Sequence, residues 1–107
     1  MNFPSDETGQ VLAEMQQAGI DLSIPHDVVF FHLFEQQAQA QAMVDLIKKS
    51  VENVEVSLHA DETPNVWDVD CTIKMIPSYE AIVKQESEFE QMAVKSSGYS
   101  DGWGIEA

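Results

Sequence analysis

The chain has 107 residues, 44% of them hydrophobic, which is typical of one folded domain and excludes an intrinsically disordered chain. Its 19 acidic residues outnumber its 5 lysines, giving a formal net charge of −14. This charge argues against direct binding to nucleic acid or to an anionic membrane, because phosphate groups are bound by neutralising them with basic side chains. A protein partner with a basic surface is favoured instead, although acidity also keeps a small protein soluble.

Cysteine content and hydropathy indicate a cytoplasmic protein. The single cysteine, Cys71, excludes an internal disulfide and fits a reducing compartment. No apolar run is long enough to span a membrane, and residues 1–7 lack the cationic and apolar regions of a secretory signal.

The first predicted elements are a helix and a central strand. Capping residues at positions 5–8 precede a helical pattern that Gly19 is expected to end. Residues 27–34 are rich in β-branched and aromatic side chains, as in a central strand covered to some extent on both sides. The pattern leaves open which alternate set of this strand faces the helices. The apolar stripe of the helix is predicted to comprise Val11, Leu12, Met15 and Ala18.

Two longer helices are predicted further along the chain. Residues 36–49 are rich in alanine and free of glycine and proline, which favours a helix. Ser78 is the expected N-cap of another helix, which runs to about residue 96 and which Gly98 ends. The two predicted apolar stripes are Ala42, Met43, Leu46 and Ile47, and Ile82, Phe89, Met92 and Ala93. Residues 99–105 are predicted to form a short closing strand.

A hairpin is predicted between these two helices, because two segments alternate between apolar and polar side chains with a period of two. The turn-forming residues 61–65 join the two strands. The apolar sets are Val54, Val56 and Leu58, and Trp67, Val69, Cys71, Ile73 and Met75. The polar sets are expected to point into water from the other face: Glu55, Ser57, His59, Asp68, Asp70, Thr72 and Lys74.

After the first helix, the order of elements is β-α-β-β-α-β, the split βαβ pattern of ferredoxin-like α+β domains. We expect residues 1–107 to form a single domain, with a four-stranded antiparallel sheet, two covering helices and an extra N-terminal helix. The first and second strands are not neighbours in this fold, which would separate His32 from His59.

No group of residues indicates an enzyme or a metal site. The 3 histidines lack the spacing and the cysteine companions of a zinc site. Asp68 and Asp70 share a strand face, but that face is expected to be wet, so a solvated acidic surface is the favoured interpretation. Cys71 points towards the core, where a thiol is unreactive.

RNA binding through an aromatic ring is also disfavoured. The ring of Phe30 or Phe31 would suit RNA stacking only beside basic residues, so the aromatic side chains are expected to belong to the core.

The segment around Trp103 has two interpretations. Asp101-Gly102 is a turn signal, so the favoured one is a tight turn into an edge strand, with Trp103 closing the end of the core. The alternative is an aromatic partner contact beside an acidic side chain, because tryptophan is frequent at binding hot spots.

Several short motifs occur once each, in a characteristic order along nearly the whole chain: Asp6 with Gly9, Gly19-x-Asp21-Leu22, Phe30-Phe31, Trp67-x-Val69-x-Cys71, Met75-x-Pro77 and Tyr99-Ser100-Asp101-Gly102-Trp103-Gly104. In order and spacing they resemble the regulator of ribonuclease activity B (RraB) family. The resemblance implies a ferredoxin-like fold and a non-enzymatic role, since the family's namesake binds the scaffold of ribonuclease E and lowers its RNA-cleaving activity. The namesake also carries a long acidic C-terminal tail, which these 107 residues do not include.

The leading hypothesis is therefore a non-enzymatic, acidic regulator that binds ribonuclease E, or a similar basic partner, and needs no cofactor. The alternative is a homodimeric ferredoxin-like module that stacks its open sheet faces and binds a small ligand there. The candidate partner-binding residues are Glu55, Asp68, Asp70, Asp101 and Trp103.

Overall fold

A computed structural model describes residues 6–106, which form three helices and four strands. None of these helices is long and apolar enough to cross a membrane. The order is the predicted one, and β1 begins one residue early, at His26. The elements are α1 (Glu7–Gln17), β1 (His26–Phe34), α2 (Gln37–Ser50), β2 (Val54–Ala60), β3 (Trp67–Met75), α3 (Tyr79–Lys95) and β4 (Tyr99–Ile105).

The four strands form one antiparallel sheet in the order β2-β3-β1-β4. β1 pairs with β3 from His26, opposite Met75, to Phe34, opposite Trp67. β2 pairs with β3 on the far side, so β3 separates His32 on β1 from His59 on β2, as predicted.

The hydrophobic core lies between one face of this sheet and the helices α2 and α3. β1 contributes its even-numbered side chains Val28, Phe30 and Phe34, which resolves the choice that the sequence left open. From β3, the core includes Val69 and Cys71, and the rest of the predicted apolar face is half-buried around them. The predicted orientation of β3 is therefore confirmed.

The apolar stripe of α3 is confirmed, whereas that of α2 is rotated from the prediction. Ala42 is exposed and Leu46 is only half-buried. The buried side chains of α2 are Ala40, Met43, Val44 and Ile47. This set follows the i, i+3, i+4, i+7 spacing of a single helix face, which the predicted set does not.

The helix α1 packs on α3. Asp6 is its N-cap and accepts a hydrogen bond from the N–H of Gly9 at 2.8 Å, while Ser5 of the predicted capping cluster lies outside the described residues. The hydroxyl of Tyr79 donates to the same aspartate, which links α1 to the first turn of α3. Leu12 is buried, but Ala18 is exposed, because the helix ends one residue before it.

The chain leaves α3 at the predicted place but for a different physical reason. Ser97, rather than Gly98, adopts the left-handed conformation, with φ of 68°. A Cβ atom at Gly98 would lie 2.3 Å from Cε2 of Phe34. Glycine is therefore needed here for the close approach of the backbone to a core ring, and not for its dihedral angles.

Candidate functional site

The open face of the sheet, which no helix within residues 6–106 covers, combines apolar and acidic side chains. Its centre is the odd-numbered set of β1, in which Phe31 lies opposite Asp70 and Leu33 lies opposite Asp68. This centre is less exposed to solvent than predicted: the Asp68 and Asp70 side chains are only 16% and 22% exposed. Neighbouring side chains on a central strand cover one another, so the predicted solvated surface is wrong for these two carboxylates.

A pocket of about 430 Å³ opens on this face. All four strands and the loop between β2 and β3 contribute to it. We call it the acid–aromatic pocket, and its lining residues are Phe31, His59, Asp61, Asp68, Asp70 and Asp101.

Phe31 belongs to the open face and not to the core, which corrects the prediction that the aromatic side chains of β1 are buried beneath the helices. Its ring is half-exposed and lies beside β4, where a Cβ atom on Gly104 would be 3.8 Å from Cε2 of the ring. Since glycine has no side chain, this flank of the ring stays uncovered.

A β-bulge turns Asp101 towards the pocket. Trp103 lies opposite Phe30, but Ser100 lies opposite His32, so β4 has one residue more than β1 over this stretch. In a regular ladder Asp101 would point towards the helices, whereas the extra residue shifts it to the open face. Gly102 adopts φ of 95° at the bulge, a conformation that glycine accepts without strain. The predicted turn at Asp101-Gly102 is therefore wrong, because both residues lie inside β4.

The imidazole of His59 lies over the carboxylates of β3. Its Nε2 atom is 3.2 Å from Oδ2 of Asp68 and 3.8 Å from Oδ2 of Asp70. About half of the imidazole is exposed, so it remains accessible from solvent.

Asp61 and Asp68 lie within hydrogen-bonding reach of each other. Such a contact requires a proton on one of the two, because an ionised carboxylate has no donor. Burial, followed by the hydrogen bond and the charge of Asp61, raises the pKa of Asp68 to about 6. The pKa of Asp61 is lowered, chiefly because the N–H of Thr63 donates to its Oδ2 at 2.9 Å. Below about pH 6 the pair therefore holds a proton, and that proton resides on Asp68.

Burial also raises the pKa of Asp70, against the opposing influence of His59. The buried Cys71, by contrast, faces the helices, and burial raises the pKa of its thiol to about 12, so it stays protonated and unreactive. Among residues 6–106, no group of three or more histidine, cysteine, aspartate and glutamate side chains could hold a metal ion.

The structure brings Asp68, Asp70 and Asp101 together from the five predicted partner-binding residues. Glu55 lies on the same open face but in a second pocket of about 260 Å³, which it shares with Lys74. Trp103 points to the other face, where it is half-buried against the core.

Three members of the pocket are not among the predicted partner-binding residues: Phe31, Asp61 and His59, of which only His59 is predicted on the open face. The unbroken apolar run of β1 carries no alternation that could have assigned Phe31 to a face. An isolated glycine in a strand pattern is a known sign of a bulge, and Gly102 was the available signal for Asp101. The position of Asp61 depends on the conformation of its loop, which the sequence did not define.

The family resemblance is confirmed by comparison with known proteins. The sequence profile of the family described as "Regulator of ribonuclease activity B" matches residues 5–105, nearly the whole chain. No curated protein matches the chain. The members of this family regulate ribonuclease activity and are not themselves enzymes. The chain therefore belongs to the regulator of ribonuclease activity B (RraB) family.

Proposed function

We propose that the chain binds a protein partner with a basic surface, ribonuclease E or a similar endoribonuclease, and modulates its cleavage of RNA. Family membership supports a regulatory role. The net charge of −14 supports a basic partner, because complementary charge steers association. The proposal locates the protein in the cytoplasm, and the buried free thiol of Cys71 is compatible with that compartment.

The observation that carries the proposal furthest is the concentration of carboxylates on the open face, of which Asp68 and Asp70 are partly buried and Asp101 and Glu55 are exposed. Asp68, Asp70 and Asp101 line one pocket, and Glu55 adds a negative charge on the same face. Charges already partly removed from water lose less hydration when a partner covers them, and their attraction to a cation is less screened. We therefore propose these four acidic residues as the contact surface.

The proposal also includes the ferredoxin-like topology. It is supported by the strand order β2-β3-β1-β4, by the antiparallel pairing of all neighbours and by the packing of α2 and α3 on one face. Two helices on one face leave the other face free for a partner.

The test is an RNA-cleavage assay with purified ribonuclease E, in which the protein is added at increasing concentration. We expect cleavage to slow, and we expect the affinity of the complex to fall steeply between about 50 mM and about 500 mM salt. Unchanged cleavage would contradict the regulatory role, and an affinity independent of salt would contradict its electrostatic basis.

A matched pair of variants separates the contact surface from overall charge. Asp70→Asn removes one negative charge from the open face, and Glu88→Gln removes one from the exposed side of α3. We expect Asp70→Asn to weaken the complex and Glu88→Gln to leave it close to wild type. Equal effects would mean that only net charge matters.

Homodimerisation through the open face is the second candidate, and one observation favours it. Phe31 and Leu33 are half-exposed there, and Tyr99, opposite Leu33, is 52% exposed. Stacking two such faces would, however, bring like carboxylates together, which opposes association. Light scattering tests this candidate through the mass of the particle. A mass that rises with concentration, together with burial of Asp68 and Asp70 in the dimer, would favour the dimer over the regulator.

A further inference from the structure

We infer that the acid–aromatic pocket receives the guanidinium group of an arginine on the partner, stacked on the ring of Phe31 and paired with the carboxylates of Asp70 and Asp101. This inference rests on the proposed function and specifies the chemistry of the partner at that surface.

The ring is the first part of the argument, because Phe31 is a half-buried aromatic side chain that lies among carboxylates on the open face. Phe31 lies opposite Asp70 on β3 and opposite the bulge at Asp101 and Gly102 on β4. On the β4 side its neighbour Gly104, where a Cβ atom would lie 3.8 Å from the ring, has no side chain to cover it. Part of an apolar surface is thus left open between two acidic side chains.

Arginine matches this combination better than other ligands. Its planar guanidinium stacks on aromatic rings and forms forked hydrogen bonds with carboxylates, and it is less strongly hydrated than an ammonium group. A lysine would satisfy the carboxylates as a point charge but would gain less from the ring. An anion would be repelled, and a neutral ligand would leave the carboxylates without a cation.

The pair of Asp61 and Asp68 gives this docking a measurable signature. A cation in the pocket favours the ionised form of Asp68, so binding below about pH 6 releases the proton that the pair holds in the free protein. Affinity should therefore fall as pH falls, by about tenfold between pH 7 and pH 5 if Asp68, whose pKa is about 6, must be ionised. The titratable groups that face Asp68 are His59 from β2, Asp61 from the loop, Asp70 from β3 and Asp101 from β4.

The experiment uses three short peptides of equal length that carry arginine, lysine or citrulline at the same positions. Each is titrated into the isotopically labelled full chain and followed by NMR. We expect the arginine peptide to bind most tightly and to show upfield shifts of its side-chain methylenes from the Phe31 ring current. The lysine peptide should bind more weakly, and the citrulline peptide, which is neutral, should not bind at the pocket.

Two variants test the ring and the proton separately. Phe31→Leu keeps an apolar side chain but removes the ring, so we expect affinity for the arginine peptide to fall about threefold and the preference over lysine to disappear. Asp61→Asn keeps an acceptor for Thr63 but removes the like charge, so the pH midpoint of binding should shift downwards. Glu88→Gln is the matched control, which removes one charge from the exposed side of α3 without moving the midpoint.

The outcomes distinguish this inference from the proposed function. If arginine and lysine peptides bind equally and Phe31→Leu changes nothing, the inference is overturned, even if ribonuclease E still binds to the open face. If the arginine peptide binds at the pocket but ribonuclease E neither binds nor changes its activity, the proposed function fails and the chemistry of the pocket stands.

Discussion

The two faces of the sheet are made by the same strands but differ in burial and in charge. On the covered face, Val28, Phe30 and Phe34 of β1 are completely buried beneath α2 and α3. On the open face, Phe31 and Leu33 of the same strand are half-exposed beside carboxylates. Because alternate residues serve opposite faces, the open face can collect charge without disturbing the core. The main core therefore lies on one face, and the proposed contact surface lies on the other.

Adjacent phenylalanines provide the strongest test of this division. Phe30 lies 5.4 Å, between ring centroids, from Phe89, and both rings are fully buried. We expect Phe30→Ala to lower the free energy of unfolding by about 3–5 kcal/mol, because it removes buried area and leaves a cavity. Phe31→Ala, one position along, should lower it by about 1 kcal/mol, since a half-exposed ring loses less. Urea unfolding of both variants measures the contrast, and equal losses would refute it.

The next largest effect is expected at Gly98, where the covered face meets the end of α3. Gly98→Ala would place a methyl group 2.3 Å from the ring of Phe34, so the backbone or the ring must move. We expect a loss of about 1–3 kcal/mol, as for other overpacked cores. Gly104→Ala on the open face meets no atom closer than 3.8 Å and should be much milder by the same unfolding measurement. A small loss of stability in Gly98→Ala would show that the backbone or the Phe34 ring moves easily to avoid the contact.

The division between the faces was partly predictable from the sequence. The regular alternation from Trp67 to Met75 assigned both faces of β3 correctly, because polar and apolar side chains have clearly different preferences. The same reasoning failed in α2, where alanines are tolerated on either side of a helix. The pattern therefore predicts Ala42 in the core, whereas Ala40 is the alanine buried there.

The pocket was less predictable than the core, because it depends on pairing between distant segments. Asp101-Gly102 is a common turn signal, and only the register with β1 shows that it forms a bulge. The partial burial of Asp68 and Asp70 likewise arises from neighbours on other strands, which no local pattern reveals. Hydrophobic periodicity identifies which residues lie on a strand face, but not which side chains meet across it.

A histidine inside the covered face should make stability depend on pH. His32 is fully buried, and its Nδ1 lies 3.2 Å from the carbonyl oxygen of Val69, to which it can donate. No hydrogen-bond partner is described for its Nε2, and burial lowers the pKa of the imidazole. A histidine with a depressed pKa contributes stability above its unfolded pKa of about 6.5, and this contribution is lost as pH falls.

The corresponding variant is His32→Leu, which removes the titrating group from the core. We expect the free energy of unfolding of the wild type to fall more between about pH 7 and pH 5 than that of His32→Leu. Unfolding curves at several pH values provide the comparison. Parallel pH profiles would show that His32 does not contribute, since the open-face acids are the same in both proteins.

The smallest expected change in stability has the opposite sign and lies on the open face. Ionised Asp68 is unfavourable in the folded protein, because its pKa is raised to about 6 by burial and by Asp61. Asp68→Asn removes that charge, so we expect stability at about pH 7 to rise by about 1 kcal/mol. The gain should shrink as pH falls from about 7 towards 4, since folded Asp68 takes up a proton near pH 6 and the two states become alike only as pH approaches the unfolded pKa of about 3.9.

The same variant should weaken binding of the arginine peptide. Asp68 would then destabilise the fold and strengthen binding, as expected of a residue that contributes to recognition and not to folding. Unfolding and peptide titration on the same samples would refute this if Asp68→Asn destabilised the fold, or if the peptide bound as tightly as before.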